Sequence, residues 1–172
     1  MSKMPTLLAP VETIASSLYT LSISRHALKT TILMRLHIPE VNTCDFPMTR
    51  QILSVYLPSI FASACYNDDQ LPFSEEVART EVGHLFEHIL LEYLCIIKLE
   101  NGLNAATYEG VTDWNWVRDP KGTFHITIKA KSHELDVLNE ALTRTITLTN
   151  VILSKNASIN APLPIPASAT RH

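Results

Sequence analysis

No stripe of lysine or arginine runs along any part of this 172-residue chain, whose net charge is −3. A nucleic-acid footprint needs clustered positive charge to displace counterions from phosphate, so that class of partner is excluded. No window approaches the ~18 consecutive apolar residues that a membrane-crossing helix requires. Residues 1–18 also lack the layout of a secretory signal. Lys3 is their only basic residue, Pro5 and Pro10 interrupt the apolar run, and Glu12 follows. There is no Gly-x-x-x-x-Gly-Lys-[Ser/Thr] phosphate loop, no internal repeat and no low-complexity segment. Cysteine is scarce too. Cys44, Cys65 and Cys95 make an odd number with no framework spacing. Together with the missing export signal, this leads to the expectation of a reducing, cytoplasmic setting, with thiols that are buried or bound to metal.

What is present is an ordinary globular composition, 46% hydrophobic and 18% charged, in a length suited to one domain with a real core. We expect a flexible segment over residues 1–15, a single domain over 16–154 and a proline-rich tail over 155–172. The sequence carries no signal for oligomeric state.

Hydrophobic periodicity places the elements. Residues 17–23 read as a first strand. Leu28, Thr30, Ile32, Met34, Leu36 and Ile38 alternate with more polar neighbours up to Pro39, the period of a half-buried strand. Residues 42–47 form a loop, and residues 48–65 fall near helical spacing with a break at Pro58. Ser74 can cap a second helix, with Glu75 and Glu76 at the positive end of its macrodipole, running to about residue 99 before Asn101-Gly102. Residues 105–117 suggest short extended pieces around Gly110. Asp119-Pro120-Lys121-Gly122 is a turn, and Phe124, Ile126, Ile128 and Ala130 alternate along another one-sided strand. Ser132 can cap a last helix to about residue 153. The order β-β-α-α-β-β-α implies an α+β fold: an antiparallel sheet of about four strands, with three main helices packed on one face.

Chemistry concentrates in His84-Leu85-Phe86-Glu87-His88. Two histidines four apart on a helix project from one face, about one turn apart, and can reach a single ion. Glu87, on the flank of that face, is placed to act on a metal-activated water rather than on the metal. H-x-x-E-H is the inverted zincin signature. Taken alone, the pentapeptide is equally a helix with two surface histidines and a solvated carboxylate. Its flanks tip the balance. Val82, Leu85, Phe86, Ile89, Leu90, Tyr93 and Leu94 mark a buried helix, in which such polar groups need partners. Zinc needs a third protein ligand. Cys65 and Glu92 are both candidates, Cys95 lies roughly 10 Å too far along the axis and reads as core, and Glu109 and Glu134 require help from the tertiary fold.

Several stretches resemble the N-terminal domain of cyanophycin synthetases. They are Ser24-Arg25-His26, Ile32-Leu33-Met34-Arg35-Leu36, Leu57-Pro58-Ser59-Ile60 followed by Cys65, Gly83-His84-Leu85-Phe86-Glu87-His88-Ile89, and Gly122-Thr123-Phe124-His125-Ile126-Thr127-Ile128. The resemblance spans roughly residues 18–153. It implies zinc held by His84, His88 and Cys65, with Glu87 as catalytic base. It also implies a peptide-like polymer substrate: cyanophycin, an aspartate backbone with arginine on its side chains, cut into shorter chains that can prime synthesis. In the synthetases two ATP-using ligase domains follow this region, and here a proline-rich stretch follows instead. A second cysteine that accompanies the first in the family is replaced by Asn67-Asp68-Asp69. The alternative expectation is a binding or assembly module with a structural zinc or no metal. His26, His37, His125 and His133 read as surface residues. Of Trp114 and Trp116 one is expected buried and one exposed, and Arg118 and Asp119 are expected to pair in their turn.

Overall fold

Alternating apolar and small polar residues build one antiparallel sheet, seen in a computed structural model that describes residues 10–66, 71–104 and 107–154. Its strands are β1 (Val11–Ala15), β2 (Tyr19–Arg25), β3 (Thr30–Leu36), β4 (Gly110–Asp113) and β5 (Thr123–Ile128). They lie in the order β1-β2-β3-β5-β4, every neighbour antiparallel. The helices are α1 (Thr49–Tyr56), α2 (Phe73–Glu76), α3 (Val82–Glu100) and α4 (Leu135–Leu153), with single 3-10 turns at Thr43–Asp45, Pro58–Ala62 and Ser132–Glu134. The α+β class, the antiparallel sheet and its helical cover are as the periodicity implies.

Register lines the inner face with apolar rows. Leu21, Met34 and Phe124 form one row, and Ile23, Ile32 and Ile126 the next, all of them buried. The second row continues onto β4 as Thr112. α3 packs over the β5 and β4 end of these rows and in turn on α4. It comes so close to β5 that a Cβ added at Gly83 would lie 2.3 Å from the Phe124 ring. Only a residue without a side chain fits there. α3 and α4 each have 19 residues, yet no described helix is long and apolar enough to cross a membrane.

Three expectations need correction. The segment over residues 1–15 is not wholly flexible: residues 1–9 lie outside the described part, but Val11–Ala15 is an edge strand, giving five strands instead of about four. Its burial is too slight to leave a one-sided pattern, and it is held by the ladder to β2 and by Ser16, whose hydroxyl oxygen accepts from the Leu18 and Tyr19 amides. The helix expected over residues 74–99 is two helices. Ser74 lies inside α2, after Pro72 at the cap position, and α3 begins anew after Glu81. The interruption is tertiary. Thr43 and Thr80 are joined in both directions, the Thr43 amide to the Thr80 carbonyl and the Thr80 amide to the Thr43 hydroxyl. The Val82 amide meets the Val41 carbonyl, and Asn42 bridges Glu81. Ser132 does not cap the last helix: it lies inside a 3-10 turn whose cap position is Lys131, and the chain becomes α-helical at Leu135. The expected tail over residues 155–172 lies outside the described residues.

An ion pair between the half-buried Lys98 and the buried Glu134 ties α3 to the start of α4. Glu134, 8% exposed, accepts from Lys98, from the Tyr108 hydroxyl and from the Lys131 amide. Burial pushes its carboxyl up, but these donors outweigh burial and hold the pKa at about 2.

Two outcomes follow from this packing. Gly83→Ala should cost about 3 kcal/mol of unfolding free energy in urea, and an unchanged midpoint would refute the close approach. A carboxyl whose folded pKa is depressed stabilises above the unfolded value of ~4.3, and that contribution is lost as pH falls towards about 2. Glu134→Gln should therefore be less stable by about 2 kcal/mol at pH 7, with the gap to wild type closing on acidification. A gap independent of pH would count against the ion pair.

Candidate metal centre

Three side chains converge at the N-terminal end of α3. His84 and His88 project from its first two turns, and Cys65 follows the 3-10 turn that Pro58 opens. The Cys65 Sγ lies 3.5 Å from the His84 Nε2, and the two Nε2 atoms are 3.1 Å apart. All three donor atoms fall within 4.8 Å of one another. Edges of a tetrahedral zinc site with one sulfur and two nitrogens are ~3.3–3.6 Å, given bond lengths of about 2.3 and 2.0 Å. The His84–His88 and Cys65–His84 separations are close to those edges.

Hydroxyl groups set the rings. The His84 Nδ1 is 2.7 Å from the Thr80 Oγ1, and the His88 Nδ1 is 3.4 Å from the Ser63 Oγ. The Ser63 hydroxyl hydrogen goes to the Ile60 carbonyl at 2.6 Å, so towards His88 its oxygen can only accept. His88 is thereby held with its proton on Nδ1 and its Nε2 lone pair turned towards His84 and Cys65. This is how protein metal sites orient their imidazoles. Phe73 of α2 stacks on the His88 ring, centroids 4.0 Å apart and planes within 17°. Burial lowers the pKa of His84, and burial together with His84 brings His88 down to about 3. Both rings are neutral at pH 7, the form that binds metal, and protons compete little.

Glu87 projects on the flank of the histidines towards β4. Its Oε2 accepts from the Thr112 hydroxyl, and a Cβ added at Gly110 would lie 2.8 Å from its Oε1. Gly110 thus makes room for the carboxylate. Burial raises the Glu87 pKa to about 7, against the opposing pull of the Thr112 hydrogen bond. A carboxyl poised near neutrality, beside a group of metal-ligand type, can take and return a proton.

These residues line a cleft of about 810 Å³. Glu76, Glu81, Glu87, Glu92 and Glu109 all border it, and no lysine or arginine does so among the described residues. Of the other ligand candidates, Glu92 and Glu109 line the cleft without joining the donor group, Glu109 pairs with Lys129, and Glu134 belongs to the Lys98 pair. Cys95 is not simple core packing: it borders the cleft, half-buried, with its thiol pushed up by burial. Trp114 and Trp116 are both half-buried against Phe124, not one in and one out. Asp119 pairs with His125 at 3.0 Å. His26, His37, His125 and His133 are exposed, as expected.

Sequence reasoning missed Thr80, Ser63, Thr112 and Gly110. Thr80 had a legible signal, a hydroxyl four residues before His84. The others are brought in by the fold alone. No protein-family model matches the chain, and the search of curated proteins gives no match either. The centre therefore rests on its geometry.

Thr80→Val removes the hydroxyl that lies 2.7 Å from the His84 Nδ1 while keeping the buried shape. Zinc affinity measured by competition with a chromophoric chelator should fall by about 10–100-fold. Unaltered affinity would show that Thr80 does not orient the ligand.

Proposed function

We propose that this chain is a zinc-dependent hydrolase that cleaves backbone amide bonds of cyanophycin, or of a related Asp/Arg peptide polymer, into shorter chains. The observation that carries the reading is Glu87. It is a buried carboxylate held beside three neutral or thiol donors of metal-ligand type, on the wall of an open cleft. A structural zinc is closed by four protein ligands, whereas a catalytic one keeps a position for water or substrate. Among the described residues the group has three members.

In this reading His84, His88 and Cys65 hold the zinc, which when bound supplies a Lewis acid for the amide carbonyl and a water with its pKa brought near neutrality. The chain's own residues do the rest. Glu87 accepts the proton of the attacking water on one carboxylate oxygen and returns it to the leaving amine. The Thr112 hydroxyl donates to the other oxygen and fixes the orientation of the carboxylate. Thr80 and Ser63 keep the imidazoles aimed. The glutamates bordering the cleft favour a substrate with guanidinium groups, through charge-assisted hydrogen bonds. That matches the arginine side chains implied by the motif resemblance.

Glu87→Gln should retain one zinc per chain and lose cleavage by about 10²–10⁴-fold, followed as release of soluble fragments from cyanophycin granules. Retained cleavage in Glu87→Gln would overturn the role of the base. A wild-type protein that binds zinc tightly yet cuts nothing would favour the binding or assembly module.

A further inference from the structure

Among the described residues β4 is the last strand of the sheet order and pairs with β5 alone. The phase of that ladder is fixed by two hydrogen bonds. The Lys129 amide donates to the Glu109 carbonyl at 2.9 Å, and on the far side of β5 the Leu36 amide donates to the Gly122 carbonyl at 3.0 Å. In an antiparallel pair the hydrogen-bonded residues alternate. Val111 and Asp113, opposite Thr127 and His125, therefore exchange bonds with β5. The N–H and C=O groups of Gly110 and Thr112 point the other way, to the open edge. Among the described residues no backbone hydrogen bond to either is recorded on that side.

That edge does not face bulk solvent at large. Gly110, Val111 and Thr112 line the same cleft as His84, His88 and Cys65, and Thr112 touches the Glu87 carboxylate. A further strand paired with β4 would run ~4.8 Å from it, past Glu87 and the donor group. Exposed edges are normally blunted because they template pairing. Here one is left open beside a candidate hydrolytic centre.

We propose that the edge of β4 is the substrate-binding strand: an extended peptide with cationic side chains adds to it, exchanging main-chain hydrogen bonds with Gly110 and Thr112. The proposal deepens the hydrolytic reading above and rests on it for the purpose of the binding. Main-chain pairing supplies register and affinity, as in other strand-addition complexes, and holds the scissile amide in a fixed extended geometry alongside Glu87. Charge selects the occupant. Glu81 and Glu92 border the cleft and complement arginine or lysine side chains. A bond two residues away along the peptide would present the same groups again, so recognition is by backbone and charge.

The test is amide hydrogen exchange by NMR on the full chain carrying Glu87→Gln and loaded with zinc, with and without an acetylated, amidated hexapeptide alternating alanine and arginine. With peptide, the Gly110 and Thr112 amides should slow by about tenfold or more, while Val111, already bonded to β5, is unchanged. Unchanged exchange at Gly110 and Thr112 with bound peptide, or no binding at all, overturns the proposal. Protection that grows with protein concentration without peptide would instead make the edge a seam between two copies, and overturns it equally. Incubation of the wild type with the same peptide separates the two readings. Cleavage without edge protection removes the docking and keeps the hydrolase, and edge protection without cleavage does the reverse.

Discussion

The contact between Gly83 and Phe124 is the constraint on which the rest depends. Because residue 83 has no side chain, the first turn of α3 rests directly on the ring of Phe124 in β5. That contact fixes the height and rotation of α3 over the sheet. His84 and His88 are thereby turned towards Cys65, and Glu87 towards β4. Gly110 repeats the device on the facing strand, where a Cβ would displace the Glu87 carboxylate. Two glycines thus set the spacing between helix and edge strand, and the polar group lies in the gap between them. Interiors pack at crystal-like density, so a methyl group at either position would be transmitted to the centre.

The centre itself depends on matched polar groups. Two imidazoles, one half-buried and one buried, lie Nε2 to Nε2 at 3.1 Å and cannot both be charged. Burial keeps them neutral, and hydroxyls from two different segments take up their outer nitrogens. What remains is a pair of lone pairs and a thiol facing one point. A shared proton or a cation relieves that arrangement, and one thiol with two imidazoles is a donor set of the kind zinc takes. The carboxylate of Glu87 stands outside the group, desolvated but supported by Thr112, which suits proton transfer better than ligation.

Much of this was legible in the residues. The alternation along residues 19–36 and 123–128 marks strands with one buried face, and the structure keeps that register. β1 was not legible, because Val11–Ala15 buries too little to leave a pattern and takes its place only through pairing. The break before α3 was hidden for a different reason. No glycine or proline stands between Val77 and Val82 to mark a stop, and the chain is turned there by bonds to residues 41–43, far away in sequence. At the site, the four-residue spacing of His84 and His88 named two candidate ligands. Spacing could not choose Cys65 over Glu92, which only the motif resemblance favoured, and the fold brings Cys65 to the pair. Ser63 and Thr112 carry no sequence signal. Their roles come entirely from where β4 and the 3-10 turn meet α3.

The central claim is that Cys65, His84 and His88 hold one zinc with a position left open. Zinc K-edge X-ray absorption on the purified full chain tests it most directly. The account predicts a four-coordinate zinc with one sulfur at about 2.3 Å and three lighter donors at about 2.0–2.1 Å, two of them imidazoles and the third exchangeable. Protein without stoichiometric zinc, or a zinc whose shell holds a second sulfur or a fourth protein ligand, would contradict it.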